Sequence, residues 1–217
     1  MAFQPFKTVL FGFAFSPSLK ANVYEAMRLA HFLNAQLIFV HVGEQTAEKE
    51  AQFEALLNEC PVRPKTIKTY WKVGDPVTTL ADACREYQVD LLLLGALKRE
   101  NVFKYYLGSI ARKLTRKAPC SVLLMLNPSI ERHPCKHIVV NGFDSPQTQE
   151  TVEAAFYMGQ ALQSEKITLV EEISESRVAV SVSDDRTLRK ATLRKEKIDR
   201  EEKIRVTDIV KKIPKPK

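Results

Sequence analysis

Hydrophobic and polar residues alternate in two distinct patterns along the first 127 positions. Short, nearly continuous apolar runs are typical of buried strands, and apolar residues recurring every three or four positions are typical of helices. The pattern predicts five strands, at residues 7–15, 37–42, 66–73, 90–94 and 120–126. It predicts four intervening helices, at 19–33, 46–59, 77–87 and 107–114. Strands that alternate with helices favour an α/β fold with a parallel, doubly wound sheet covered on both faces.

The same pattern begins again near residue 134. Three segments repeat earlier ones at a shift of 129 or 130 residues: the strand at 138–143, the helix at 148–162 and the strand at 166–170. Residues 177–182 are a candidate for one further strand. We therefore predict an internal duplication, with one complete module over residues 1–127 and an incomplete second module over 134–185.

The formal net charge of +7 is concentrated at one end of the chain. Residues 186–217 hold 13 of the 33 Lys and Arg but 5 of the 26 Asp and Glu, so the rest of the chain is nearly neutral. We interpret 186–217 as a basic tail that is solvated or partly helical. The alternative is contact with a nucleic acid or an acidic surface. Nucleic acid is the less favoured partner, because residues 158–217 contain no aromatic ring to stack on bases.

The loop after the fourth predicted strand carries candidate chemistry. Gly95 ends the strand, and Gly108 and Ser109 stand where the next helix begins. Glycines let backbone N–H groups approach an anion, and a helix N-terminus adds its positive dipole. Ser109 is placed either to cap the helix or to contact a phosphate oxygen, and Lys98 adds positive charge. The simpler alternative is an ordinary helix start.

Taken with the LIFVHV strand and the Gly74-Asp75-Pro76 step, this loop resembles the universal stress protein family. The resemblance covers residues 5–127 and, for a partial second module, about 134–173. It implies a Rossmann-like five-stranded parallel sheet in the order 3-2-1-4-5. It also implies ATP binding, with Mg²⁺ accompanying the nucleotide, and a homodimer formed through the strand at 120–126.

The resemblance assigns nine residues to the nucleotide site. The adenine would lie by Ala14, Val40, His41 and Val42, and the phosphates by Gly95, Lys98, Gly108, Ser109 and Ile110. Two positions depart from the family pattern. Lys98 replaces a glycine, and its side chain would either crowd the phosphates or contact them. Ala14 replaces an acidic residue and removes a polar contact to the nucleotide. From the residues alone, His41 is favoured as a packed strand histidine rather than a base.

The function that the resemblance implies is a nucleotide-binding regulatory module in a stress response. We expect binding rather than turnover, because the sequence shows no Walker loop, Ser/His/Asp set or paired carboxylates. The four cysteines lack metal-ligand spacing, so no metal site is predicted. With no secretory signal or membrane-spanning run visible, the protein is expected in the cytoplasm. The alternatives are a nucleotide-free interaction module with a degenerate site and a weak hydrolase.

Overall fold

The computed structural model describes residues 3–95, 108–170 and 185–213. The chain divides into two compact units. One unit is Phe6–His133, and the other combines Met1–Pro5 with Pro134–Lys217. We call them the first unit and the second unit.

Strands and helices alternate through the first unit. Its strands are β1 (Thr8–Phe13), β2 (Gln36–Val42), β3 (Ile67–Lys72), β4 (Leu91–Gly95) and β5 (Ser121–Met125). Its helices are α1 (Leu19–Phe32), α2 (Ala47–Glu59), α3 (Pro76–Glu86) and α4 (Ser109–Lys117). The strands form one sheet in the order β3-β2-β1-β4-β5, and every neighbouring pair is parallel. The predicted α/β fold and strand order are confirmed.

The central strands are buried on both faces, which explains why their sequences are almost continuously apolar. In β1, Val9 and Leu10 are fully buried, and Leu92 and Leu93 of β4 are equally inaccessible to solvent. Burying a side chain of this size contributes about 1.5–3 kcal/mol. Helices α3 and α4 cover one face of the sheet through residues such as Leu80 and Leu114.

The Gly74-Asp75-Pro76 step starts helix α3. Gly74 has a φ of +139°, a conformation that favours glycine. Asp75 is the N-cap, and its Oδ1 accepts hydrogen bonds of 2.9 Å from both the backbone N–H and the Oγ1 of Thr78. Pro76 occupies the first turn, where no N–H donor is needed. These residues therefore fix where α3 begins, at the edge of the sheet where β1 and β4 end.

The hydrogen bonds from Thr78 hold the pKa of Asp75 below its ordinary value of 3.8. A lowered folded-state pKa stabilises the fold above the unfolded value, and this contribution is lost as the pH falls through the folded-state pKa. In Asp75→Asn the cap is retained, because asparagine caps helices as well as aspartate, but it no longer titrates. We expect the wild-type advantage over Asp75→Asn to shrink below about pH 4, as measured by urea unfolding across the acid range. A difference that stays constant across that range would contradict the expectation.

The second unit begins with a strand, a helix and a parallel strand. These are β6 (His137–Asn141), α5 (Thr148–Leu162) and β7 (Lys166–Val170), with β6 and β7 paired in parallel. Val140, Val152 and Ala155 form a small buried cluster. The candidate strand at 177–182 lies outside the described residues.

The turns at both ends of α5 match those of α1, 129 residues earlier. The residue in left-handed conformation after each helix also matches, Asn34 with a φ of 52° and Gln163 with a φ of 58°. At the start of the helices, the bond from Leu19 N–H to the Ser16 carbonyl matches the bond from Thr148 N–H to the Ser145 carbonyl. At their ends, the bond from Ala35 N–H to the Ala30 carbonyl matches the bond from Ser164 N–H to the Gly159 carbonyl. These turns agree with the predicted duplication, which stays a prediction.

The basic segment at 186–217 is mostly one helix, α6 (Asp185–Lys212), of 28 residues. Ile209 and Ile213 pack against the buried cluster around Val140. Arg205 donates to Glu202 Oε2 and to the carbonyl of Gly142, both at 2.7 Å. The later part of α6 is therefore attached to the second unit by both apolar and polar contacts. No helix in the described part of the chain is long and apolar enough to cross a membrane.

Candidate functional site

A cavity of about 260 Å³ lies where β1 and β4 end. Strand order reverses between these two neighbours, and ligands of doubly wound sheets bind beyond such a reversal. The volume is close to the lower end of the range of about 300–1,000 Å³ that is usual for ligand pockets. Helices α1 and α4 both contribute to the lining, through Asn22 and Ile110.

Six of the nine residues predicted from the sequence line this cavity. They are Ala14, Val40, Val42, Gly95, Gly108 and Ile110. Val40 and Val42 of β2 give one side an apolar surface suited to a flat ring, and Gly95 and Gly108 lie on the side of β4 and α4. Lys98 lies outside the described residues.

His41 does not line the cavity, which differs from its predicted place beside the ligand. Successive strand residues face opposite sides of a sheet, so His41 points away from Val40 and Val42. Its Nδ1 lies 3.1 Å from the carbonyl oxygen of Phe13, and its ring centroid lies 5.0 Å from that of Trp71. His41 is buried and packed among aromatic rings, as the alternative interpretation from the residues proposed.

In the described residues, the N-cap of helix α4 brings no side-chain acceptor to the first backbone N–H groups of the helix. Gly108 is its N-cap, and the cap makes no side-chain hydrogen bond. Ser109 is therefore the first helical residue rather than the cap, and it is exposed without being among the residues that line the cavity. The first N–H groups of a helix carry partial positive charge and suit an anion such as a phosphate.

Asn22 is a buried polar lining residue that the sequence pattern did not single out. It lies in α1, and only 6% of its surface is exposed. Its Nδ2 donates to the Ser18 carbonyl at 2.9 Å and lies 3.2 Å from Ser18 Oγ. Its Oδ1 is buried and accepts no hydrogen bond from the described residues. A polar residue on the buried face of a predicted helix, three positions after Leu19, was the signal available in the sequence.

Gly95 is packed directly against that amide. A Cβ at position 95 would stand 2.8 Å from Asn22 Oδ1, closer than real Cβ atoms come to other atoms. Glycine at 95 therefore leaves room for the Asn22 carbonyl beside the cavity lining.

The described cavity lining carries no charged side chain. The described lining residues include no Asp, Glu, His, Lys, Arg or Cys, and the polar side chains among them are Ser16, Ser18 and Asn22. No group of three or more His, Cys, Asp or Glu residues in the described ranges is placed to hold a metal ion. The cavity can offer hydrogen bonds, apolar surface and a helix N-terminus, and its described side chains supply no general base.

The family model described as the universal stress protein family matches residues 43–125. The first unit is therefore similar to the universal stress protein family over this range. The matched range lies within this unit and includes Gly95, Gly108 and β5.

Individual relatives match the chain in part. The universal stress protein Sll1388 of Synechocystis sp. is 26% identical over 93 residues, which are 42% of this chain. The chain spans 59% of the length of that relative. A solved universal stress protein in complex with cAMP is 25% identical over 56% of this chain and 98% of its own, with a TM-score of 0.48. The universal stress protein of Archaeoglobus fulgidus in complex with dAMP is 15% identical over 56% of this chain and 98% of its own, with a TM-score of 0.40.

The close approach of Gly95 to Asn22 yields a stability prediction for the first unit. We expect Gly95→Ala to lower the free energy of unfolding by about 1–3 kcal/mol, because the buried amide must move to admit a methyl group. In an Asn22→Ala background the same change should cost much less, since the obstructing oxygen is gone. Urea unfolding of the four proteins measures this coupling as a double-mutant cycle.

Gly43→Ala is the matched control. Its Cβ would stand 2.8 Å from His41 Nε2, outside the cavity lining, so its effect should be the same with and without Asn22. Equal costs of Gly95→Ala in both backgrounds would contradict the packing argument.

Proposed function

We propose that the first unit is a regulatory module that binds an adenine nucleotide, ATP in the first instance, in the cavity where β1 and β4 end. One observation carries the proposal. A single cavity at the strand-order reversal combines an apolar side, at Val40 and Val42, with the uncapped N-terminus of α4. The first suits a purine ring, and the second suits phosphate groups. Similarity to the universal stress protein family over residues 43–125 supports the same role, within a stress response.

We propose that the module binds the nucleotide without hydrolysing it. The described lining holds no carboxylate, imidazole or amine that could remove a proton from water or activate the hydroxyl of Ser16 or Ser18 as a nucleophile. Mg²⁺ would then accompany the nucleotide on its phosphate oxygens, because no acidic cluster in the described ranges is placed to hold the ion. We propose this role for the protein in the cytoplasm, as the sequence analysis expects.

A binding measurement tests the proposal directly. We expect ATP at about 100 times its Kd to stabilise the folded protein by about 2.7 kcal/mol, seen as a rise in Tm. Ile110→Trp should remove this effect, because Ile110 lines the cavity with 43% of its surface exposed and can be enlarged without disturbing the core. Isothermal titration calorimetry with ATP gives the affinity of each variant.

Thr115→Trp is the matched control, since Thr115 is an exposed residue on α4 that does not line the cavity. It should bind ATP like the wild type. Absence of both heat and a Tm shift at millimolar ATP would overturn the proposal and favour the nucleotide-free interaction module. Steady release of phosphate by the wild type, lost in Ile110→Trp, would favour a hydrolase.

We also propose that β5 forms a homodimer by pairing with β5 of a second copy. Within the described first unit, β5 pairs with β4 alone and so presents an open edge. The opposite edge strand, β3, carries Lys68 and Lys72, and lysines discourage pairing between edges. The sequence of β5, SVLLM, contains no charged residue. This asymmetry favours β5 over β3 as the dimer edge.

Leu126 and Val73 allow this dimer to be tested. Each is an exposed apolar residue directly after an edge strand, with 42% and 87% of its surface exposed. We expect Leu126→Lys to shift the protein toward monomer, because a charged side chain next to an edge strand discourages pairing with another edge. Val73→Lys, after β3, should leave the dimer intact. Light scattering after size-exclusion chromatography measures the mass, and a wild-type monomer at all concentrations would contradict the proposal.

A further inference from the structure

The buried oxygen of Asn22 is a hydrogen-bond acceptor whose orientation is fixed. Its amide nitrogen donates to the Ser18 carbonyl at 2.9 Å. Exchanging the nitrogen and oxygen would place two acceptors against each other, because a carbonyl oxygen cannot donate. The oxygen therefore faces Gly95, which lines the cavity together with Asn22, and the nitrogen faces Ser18.

An acceptor that is buried without a partner destabilises the folded state, so such groups in native proteins usually have a reason to be there. Asn22 is 94% buried, since 6% of its surface is exposed, and its Oδ1 accepts nothing from the described residues. A ligand that brings an N–H or O–H group beside Gly95 would satisfy it once Asn22 shifts to expose the oxygen, which is covered in this structure. The position is thus specific for a donor and unfavourable for a phosphate oxygen, which can only accept.

The order of elements around the cavity indicates which part of a nucleotide comes to Asn22. Val40 and Val42 belong to β2, Ala14 follows β1, Gly95 ends β4, and Gly108 caps α4. A nucleotide with its base at β2 and its phosphates at α4 passes Gly95 in between. The donors on that middle portion are the hydroxyl groups of the sugar.

We propose that Asn22 Oδ1 accepts a hydrogen bond from a sugar hydroxyl of the bound nucleotide and makes the cavity selective for hydroxylated sugars. This inference rests on the proposed nucleotide-binding function. Asn22 would thereby supply the site with a hydrogen-bond acceptor, which the side chain of Ala14, directly after β1, cannot provide. An amide acceptor adds no negative charge beside the phosphates, whereas a carboxylate would.

Comparing nucleotides that differ by one hydroxyl tests the proposal. ATP, 2′-deoxy-ATP and 3′-deoxy-ATP are titrated into the wild type and into Asn22→Ala by calorimetry. We expect loss of the recognised hydroxyl to weaken binding to the wild type about tenfold, the usual effect of one neutral hydrogen bond. Asn22→Ala should bind that analogue and ATP equally well. Asn58→Ala, on the exposed side of α2, is the matched control and should discriminate like the wild type.

The outcomes separate this inference from the proposed function. If the wild type binds no nucleotide, both fail. If it binds ATP and both deoxy analogues equally, nucleotide binding stands and the role of Asn22 is overturned. If Asn22→Ala discriminates as strongly as the wild type, another group reads the sugar and the role of Asn22 is again overturned. Should Asn22→Ala not fold, Gly95→Ala takes its place, because a Cβ there displaces the oxygen and must reduce the discrimination.

Discussion

The parallel pairing of β1 with β4 is the constraint on which the candidate site depends. Gly12 of β1 lies opposite Leu94 of β4, and Gly95 is the next residue. The connections that follow the two strands lead to different faces of the sheet, α1 after β1 and α4 after β4. Because those connections diverge, a crevice opens where the two strands end. The cavity is therefore a result of strand order, and its lining residues refine a space that the topology already provides.

Two glycines let both helix layers come close to this crevice. A Cβ at Gly12 would stand 2.8 Å from Leu80 Cδ1 of α3, and a Cβ at Gly95 would stand 2.8 Å from Asn22 Oδ1 of α1. Side chains alternate between the two faces of a strand, so residues at adjacent positions face helices on opposite sides of the sheet. One glycine admits an apolar side chain, and the other admits a polar one. The sheet can thus be tightly packed and still place a hydrogen-bonding group on the cavity wall.

The sequence predicted the fold well because the fold depends on burial. Strands buried on both faces need continuous apolar runs, and helices with one buried face need apolar residues every three or four positions. The strand predicted over 7–15 ends at Phe13, because Ala14 leads into the turn before α1. The site was predicted less completely, because spacing shows which face a residue occupies and says nothing of whether its polar atoms are satisfied. Asn22 is such a case, whereas the packing of His41 away from the cavity agrees with the interpretation made from the residues alone.

The neutrality of the described lining bears on how this module would work. A helix N-terminus offers the equivalent of about half a positive charge, and the described lining adds no charged side chain to it. Under the proposed function, the described residues would recognise the ligand through the apolar side at Val40 and Val42 and through single hydrogen bonds, each of which contributes about 0.5–1.5 kcal/mol. Such a site would respond to the concentration of its ligand instead of holding it permanently. A regulatory module requires that behaviour, because a nucleotide that never leaves can carry no signal.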